Sequence, residues 1–389
     1  MTQSERTPAG FWAVWTTVAM DLLGFGIIIP LLPLYADSFG ASPTTIGVLF
    51  ASYSLAQFVL SPVWGRISDR VGRKPVLVVT IIGSAVGSLV LGLAGSLIVL
   101  FVGRIIDGAS GASVAVARAT VADVATPEQR PRLMGLLGAA FGFGFVIGPV
   151  VGSLAALGGP AVPFFLAAAI SALNAVATWI RVPETSVVAE AGAARGSIRD
   201  LSSVVARFVI LTFVGLTAFA AFEATFSLLA AARFGLGEAE IGFVFAGIGV
   251  LLIGTQGGLI GPATRLVGEL ALIRIGLAMN VVGFLMLSVA ATWTLLVPGL
   301  AVLALGQGFI TPALASAIAG SAEPGMSGVA LGVQQSAGGL ARVVGPAVGG
   351  LLFAIGLPVP YVVAAALTLI ALPIVPAAVD VDPAVRSEA

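Results

Sequence analysis

The chain has 389 residues, of which 58% are hydrophobic and 9% charged, with zero formal net charge and a mean hydropathy of +1.11. A soluble domain carries about 25% charged residues, so a water-facing globule is excluded, and a neutral chain offers no bulk field for nucleic acid. Cysteine and histidine are both absent, which removes disulfides, thiol nucleophiles and thiolate metal sites and leaves proton chemistry to the carboxylates.

Crossing the ~30 Å hydrocarbon core takes about 20 apolar residues in a helix. Read with that ruler, and broken at polar clusters and Gly/Pro turns, the chain gives twelve runs: 11–34, 45–64, 76–95, 98–122, 133–157 and 161–181, then 206–231, 240–260, 270–290, 293–319, 327–355 and 358–379. The first run is too long for a signal-peptide core and reads as a retained span. These runs predict an all-α integral membrane protein in two six-helix bundles, 1–182 and 206–389, joined by a polar linker at 183–205. With the N-terminus inside, fourteen of the eighteen basic residues fall on the cytoplasmic side and only Arg233 in an outer loop. The positive-inside rule therefore expects both termini in the cytoplasm.

The two halves repeat. Segment 135–154, GLLGAAFGFGFVIGPVVGSL, aligns without gaps to 332–351, GVQQSAGGLARVVGPAVGGL, with nine of twenty positions identical. FGASPTTIGVLFA from Phe39 matches FGLGEAEIGFVFA from Phe234, and Gly65, Asp69, Gly72 and Arg73 fall opposite Gly261, Arg265, Gly268 and Glu269. Parallel halves related by a pseudo-two-fold axis along the membrane normal account for this pattern.

Charges inside the spans mark where function sits. Each costs about 2.5–3.5 kcal/mol near the bilayer centre, and Asp21, Arg104, Asp107, Arg118, Glu223 and Arg342 together would cost of order 15 kcal/mol. A wet cavity, protonation or pairing must offset this. Asp21 lies about nine residues into the first helix, roughly 13 Å deep, where it either alternates between protonated and ionised forms or serves as a fixed structural acid. Between the second and third spans, Asp69, Arg70 and Arg73, with Gly65 and Gly72 around them and Asp123 after the fourth span, lie too shallow for substrate. They read as a cytoplasmic gate, or as topology determinants alone. Arg104 and Asp107, three residues apart, share a helix face, with Arg118 close to the same stripe; they form either a cavity pair or a permanent structural one. In the fifth span Gly144, Gly148 and Gly152 permit close helix approach, and Pro149 adds a bend. Glu223 sits among Phe219, Phe222 and Phe226, where charge and ring faces suit a cation; otherwise it carries the proton or simply reaches water at the outer interface. Arg342 interrupts the eleventh span as a counter-ion for a cavity acid or as a helix–helix salt bridge, with Gln334 and Gln335 nearby as hydrogen-bonding groups.

Residues 65–74, GRISDRVGRK, carry the G-x-x-x-D-R-x-G-R-K signature, and the chain resembles the major facilitator superfamily at every signature position. RIIDGASGA around Arg104 resembles the family's fourth-helix motif, and Gly144-x-x-x-Gly148-Pro149-x-x-Gly152 resembles the fifth-helix motif of its antiporter branch. Pro183-Glu184-Thr185 is also usual there, and MDLLGFGIIIPLLP from Met20 looks like the first helix of drug:proton antiporters. The resemblance implies the major facilitator fold, a bacterial cytoplasmic membrane location, a monomer, and proton-coupled efflux by alternating access of an amphipathic small molecule, a cation being one candidate. It implies a role for Arg104 in proton coupling and no cofactor beyond the coupling proton. It does not extend to tetracycline as cargo, because the eighth-helix histidine region of those exporters is missing. A dedicated exporter of one metabolite is the alternative on the same fold. An enzyme is not expected, since no P-loop, metal constellation or nucleophile elbow is present.

Overall fold

Lipid offers no partner for a bare amide, so apolar runs of this length close their hydrogen bonds as helices. The computed structural model describes residues 7–8, 10–126, 129–185, 201–323 and 326–377, and among them there is no strand. The first half contains α1 (Phe11–Asp37), α2 (Pro43–Val71), α3 (Arg73–Gly92), α4 (Leu97–Ser110), α5 (Ser113–Val124), α6 (Arg130–Ala156) and α7 (Val162–Arg181). The second contains α8 (Ser203–Phe234), α9 (Glu238–Gly254), α10 (Ile260–Val267), α11 (Glu269–Val289), α12 (Trp293–Ser321), α13 (Ser327–Ile355) and α14 (Val359–Ala371).

Among the described residues eleven helical stretches are long and apolar enough to cross a membrane, taking Leu97–Val124 and Glu238–Val267 each as one stretch, and Val359–Ile374 is a shorter apolar helix. Large apolar side chains such as Ile98, Leu173 and Ile370 are more than 70% exposed, a surface suited to lipid and unsuited to water. Most of the sequence-predicted linker, residues 186–200, lies outside the described residues, as do Arg6 and Arg386.

Two of the expected single spans are interrupted. The fourth divides into α4 and α5 at Gly111–Ala112, and the eighth passes through a π-helical turn, Thr255–Leu259, between α9 and α10. The sequence there, TQGGL, supplies two glycines and a threonine buried against Gly308. Helix α2 also runs beyond the expected end near residue 64 to Val71, because the polar motif continues the helix and only Gly72 stops it. Gly72 has φ +111°, and its repeat counterpart Gly268 between α10 and α11 has φ +81°, a region that L side chains rarely occupy.

The residues form two compact units, Met1–Glu190 with Glu223–Val250, and Ala191–Phe222 with Leu251–Ala389. Each has its own apolar core: Val18, Leu77, Ala117 and Leu137 are fully buried in the first, and Phe208, Leu277, Leu314 and Ala330 in the second. The stretch from Glu223 joins the first unit through specific contacts. Ser227 Oγ donates to the Pro30 carbonyl of α1 at 2.9 Å, and Gly242 and Gly249 press against the Pro149 and Phe145 carbonyls of α6.

The sequence repeat is also a packing repeat. In the first unit a Cβ on Gly148 would stand 2.7 Å from Gly26 Cα, so α6 and α1 touch backbone to backbone. In the second, a Cβ on the equivalent Gly345 of α13 would stand 2.5 Å from the Thr217 carbonyl oxygen of α8. Gly144 and Gly152 likewise pack on Leu22 and Ile27. The α3–α4 pair Gly87 and Gly103 returns as Gly283 and Gly299 between α11 and α12. Small residues let bare helix surfaces meet where lipid supplies no hydrophobic driving force.

Candidate functional site

The first unit gathers most of the charged residues singled out from the sequence. Arg104 of α4 is 1% exposed, and its Nη1 lies 3.3 Å from Asp107 Oδ2 one turn along. The guanidinium also faces the ring of Tyr53 at 4.1 Å and that of Phe50 at 5.8 Å, both from α2. A cation taken out of water needs this compensation: a carboxylate on one side and negative ring faces on the other. Its Nε remains without a hydrogen-bond partner.

Asp21 meets this group from α1. Together with Gly24, Phe25, Ile28, Tyr53, Ser84, Ser88, Asp107, Gly111 and Ser171 it lines one small cavity among α1, α2, α3, α4 and α7. No ion pair holds Asp21 among the described residues; its Oδ2 accepts a hydrogen bond from Ser113 Oγ, the first residue of α5. Phe25 contacts Tyr53 at 5.4 Å and Phe145 at 6.2 Å between ring centroids. The cavity thus places two carboxylates among hydroxyls and aromatic rings.

The break between α4 and α5 makes this arrangement possible. A continuous helix would keep its carbonyls within itself, whereas here Gly111 O accepts from Gln57 Nε2 at 2.6 Å and Ala109 O from Trp64 Nε1 at 2.7 Å. Both donors come from α2. Gly108 permits the approach, since a Cβ there would stand 2.2 Å from the Tyr53 carbonyl oxygen. Non-helical backbone at membrane depth is tolerated where protein or a cavity satisfies it, as in this case.

The far end of α5 joins the motif between α2 and α3. Arg73 Nε donates to Asp123 Oδ2 at 2.9 Å, and its Nη1 bonds Ser68 Oγ at 2.7 Å and pairs with Asp69. The Arg73 backbone N–H donates to Glu184 Oε1 at 3.0 Å, so a carboxylate from beyond α7 caps the start of α3. Gly72 admits it: a Cβ would stand 2.8 Å from Glu184 Oε2. Arg70 differs from its neighbours, being exposed and in no ion pair among the described residues. Gly65 contributes its carbonyl, which accepts from Ser68 Oγ.

The remaining candidates are spread along other helices. Glu223 is 9% exposed on α8, one turn before the Ser227 contact with α1, and Phe226 beside it packs on Phe245 at 5.7 Å. Phe222 is 2% exposed and contacts Phe219. In the second unit Gln334 Nε2 donates to Thr212 Oγ1 at 3.3 Å. Arg342 is half-buried and takes part in no ion pair among the described residues, so the salt bridge expected as one of its two roles is not present. Arg118 is exposed, with its guanidinium 6.0 Å from the Phe141 ring.

Sequence reasoning missed Ser113, Tyr53, Gln57, Trp64 and the capping role of Glu184. Only the glycine cluster Gly108–Gly111 hinted at the break that recruits the first four.

The chain matches the family described as Major Facilitator Superfamily at residues 14–266 and 208–389. It is 31% identical over 344 residues to the class D tetracycline resistance protein of Salmonella ordonez, covering 86% of each chain. It is 28% identical over 354 residues to multidrug resistance protein 1 of Bacillus subtilis, covering 89% of this chain and 90% of that one. Among solved structures, the human organic anion transporter MFSD10 (TETRAN) superposes with a TM-score of 0.72 at 25% identity, over 94% of this chain and 99% of that one.

Proposed function

The chain belongs to the Major Facilitator Superfamily, and we propose that it exports small amphipathic molecules across the bacterial cytoplasmic membrane in exchange for protons, with both termini in the cytoplasm. It is a multi-pass membrane transporter and not an enzyme. Relatives named for tetracycline and multidrug resistance support drug efflux over a carrier dedicated to one metabolite.

One observation carries the coupling assignment. Asp21 is an acid in mid-span, held by a neutral hydroxyl and lining a polar cavity with Asp107. A carboxylate locked to a cation has no reason to take up a proton at ordinary pH, whereas one held only by a hydroxyl can change state at modest cost. Asp107 has such a cation in Arg104, so Asp21 is the carrier and Asp107 its fixed neighbour. In the cycle, Asp21 takes a proton from the outer water, the transporter changes access, and the proton leaves to the cytoplasm while cargo goes out. A membrane potential of 100 mV supplies about 2.3 kcal/mol per charge moved, and each pH unit about 1.4 kcal/mol.

The test is accumulation of a fluorescent cation in proteoliposomes under an imposed pH gradient. Asp21→Asn abolishes uphill accumulation while downhill exchange persists; an Asp21→Asn protein that concentrates the dye like wild type overturns the assignment. Glu223→Gln in the same assay reports on cargo recognition. It lowers the apparent affinity for cationic dyes and leaves the pH gradient usable. Anionic dyes run in parallel decide the sign of the preferred cargo, since one structural relative is named for organic anions.

A further inference from the structure

We propose that Ser113 is a positioning residue for the coupling carboxylate, and that α5 carries the protonation state of Asp21 to the Arg73 cluster as a rigid rod. The inference rests on the assignment of Asp21 as proton carrier.

Helix α5 is bonded at both ends to charged groups and separated from α4 by a break. At its start, Ser113 Oγ donates to Asp21 Oδ2. At its end, Asp123 accepts from Arg73, which in turn holds Asp69 and Ser68. Ten residues of helix set these points about 15 Å apart. The end of α4 is fixed to α2 through the Gln57 and Trp64 side chains, so a displacement at Ser113 is taken up at Gly111–Ala112 and passes down α5 rather than back into α4. The buried face of α5 is Val116, Ala117, Thr120 and Val121. Thr120 Oγ1 donates to the Val116 carbonyl of its own helix, and Val116, Ala117 and Val121 pack in the apolar core, a non-directional contact along which a rod can shift.

The first turn of a helix presents unsatisfied N–H groups and a partial positive charge. Ionised Asp21 is attracted there and accepts the Ser113 hydroxyl. Protonated Asp21 loses that attraction, and α5 is released toward its Asp123 end. The other titratable or charged groups facing Asp21 are Asp107 and Tyr53 in the cavity, with Arg104 behind Asp107. Helices α3 and α7 contribute serines to the lining, α6 contributes the Phe145 ring against Phe25, and α5 itself carries Arg118 and Asp123.

The chain has no cysteine, so a single reporter thiol can be read without background. Val71→Cys places one at a residue 63% exposed beside the Arg73 cluster. The measurement is the rate of maleimide labelling against pH in proteoliposomes, divided at each pH by the rate for free cysteine to remove the change in thiolate fraction, together with the pH profile of ethidium accumulation under a fixed potential. In the parent, labelling changes at least threefold across the pH range in which transport titrates. Ser113→Ala moves both profiles to higher pH, because the ionised carboxylate has lost a donor, and Ser113→Thr, which keeps the hydroxyl, restores them. Asp123→Asn leaves the midpoint of any remaining transport in place and flattens the labelling curve. The proposal is overturned if Ser113→Ala shifts neither profile, or if labelling in Asp123→Asn follows pH as in the parent. Either result can occur with Asp21→Asn inactive in uphill transport, in which case the coupling assignment stands and the rod alone fails. If Asp21→Asn is fully active, the coupling assignment fails first.

Discussion

Helices α3 and α4 and their counterparts α11 and α12, 196 residues further on, share one packing scheme and differ in what it encloses. Gly87 and Gly103 seat the first pair as Gly283 and Gly299 seat the second. Yet Arg104 and Asp107 are matched by Leu300 and Leu303, which are buried at 6% and 1% exposure. Where the first unit has Ser84 and Gly111 on its cavity, the second has Asn280 and Gln307, joined amide to amide at 3.2 Å, with Thr311 accepting from Gln307 at 3.3 Å. The scaffold therefore does not require ions. The first unit keeps an expensive pair and a small polar cavity, while the second sets leucines and neutral amides at the same positions. That difference supports the proposal that the first unit handles the proton, with the second serving as framework and cargo surface.

The largest expected effect comes from breaking the ion pair on one side. Asp107→Asn leaves Arg104 buried without its carboxylate and costs about 3–5 kcal/mol, read as a lower unfolding midpoint in detergent. Installing the second unit's solution, Arg104→Leu with Asp107→Leu, recovers most of that stability while proton-driven accumulation stays lost. A double variant as unstable as the single one would mean that the two pairs of helices are not interchangeable frameworks.

Next in size are the backbone contacts that the units share. Gly148→Val and Gly345→Val each force a branched side chain into a neighbouring backbone, costing about 1–3 kcal/mol from overpacking. Comparable losses in the two variants confirm equivalent packing; a loss confined to one identifies that contact as the tighter. Replacing Gln307 with Leu removes its side-chain hydrogen bonds with Asn280 and Thr311 and leaves the Asn280 amide without its partner, at about 1–3 kcal/mol. The dye-accumulation pH profile is expected to be unchanged, because no proton passes through this pair. A shifted profile would bring the second unit into coupling. The smallest effect is at the surface: Arg70→Ala changes stability by less than about 0.5 kcal/mol, whereas Arg73→Ala breaks three side-chain contacts and lowers the unfolding midpoint clearly.

The spans and the buried charges were legible because they are compositional extremes. An arginine or aspartate in an apolar run declares itself, which is how Asp21, Arg104, Asp107 and the motif at Gly65–Arg73 were found. Ser113, Gln57 and Trp64 carry no such mark. Serine is common in membrane helices, and its role here depends on a break in the fourth span that hydropathy does not see. The extent of α2 was underestimated for a related reason: polarity ended the apolar run near residue 64, but the helix follows backbone hydrogen bonding and stops only at the positive φ of Gly72. The sign exchange between Asp69–Arg73 and Arg265–Glu269 was visible in the repeat. Its structural outcome was not: Arg73 joins a network with Asp69, Asp123 and Glu184, whereas Glu269 accepts a single hydroxyl from Ser316.

The cap on α3 has a consequence for how the molecule is made. Glu184 lies 111 residues downstream of the amide it receives, beyond the sixth span, so during synthesis the loop after the second helix stays open through four further insertions. Asp123 reaches Arg73 once the fourth span is in place, but the cap itself closes only when the ribosome has delivered the whole first bundle. A nascent chain stalled before Glu184 would therefore present an unfinished hairpin to quality-control proteases, and one stalled just after it would present a closed half.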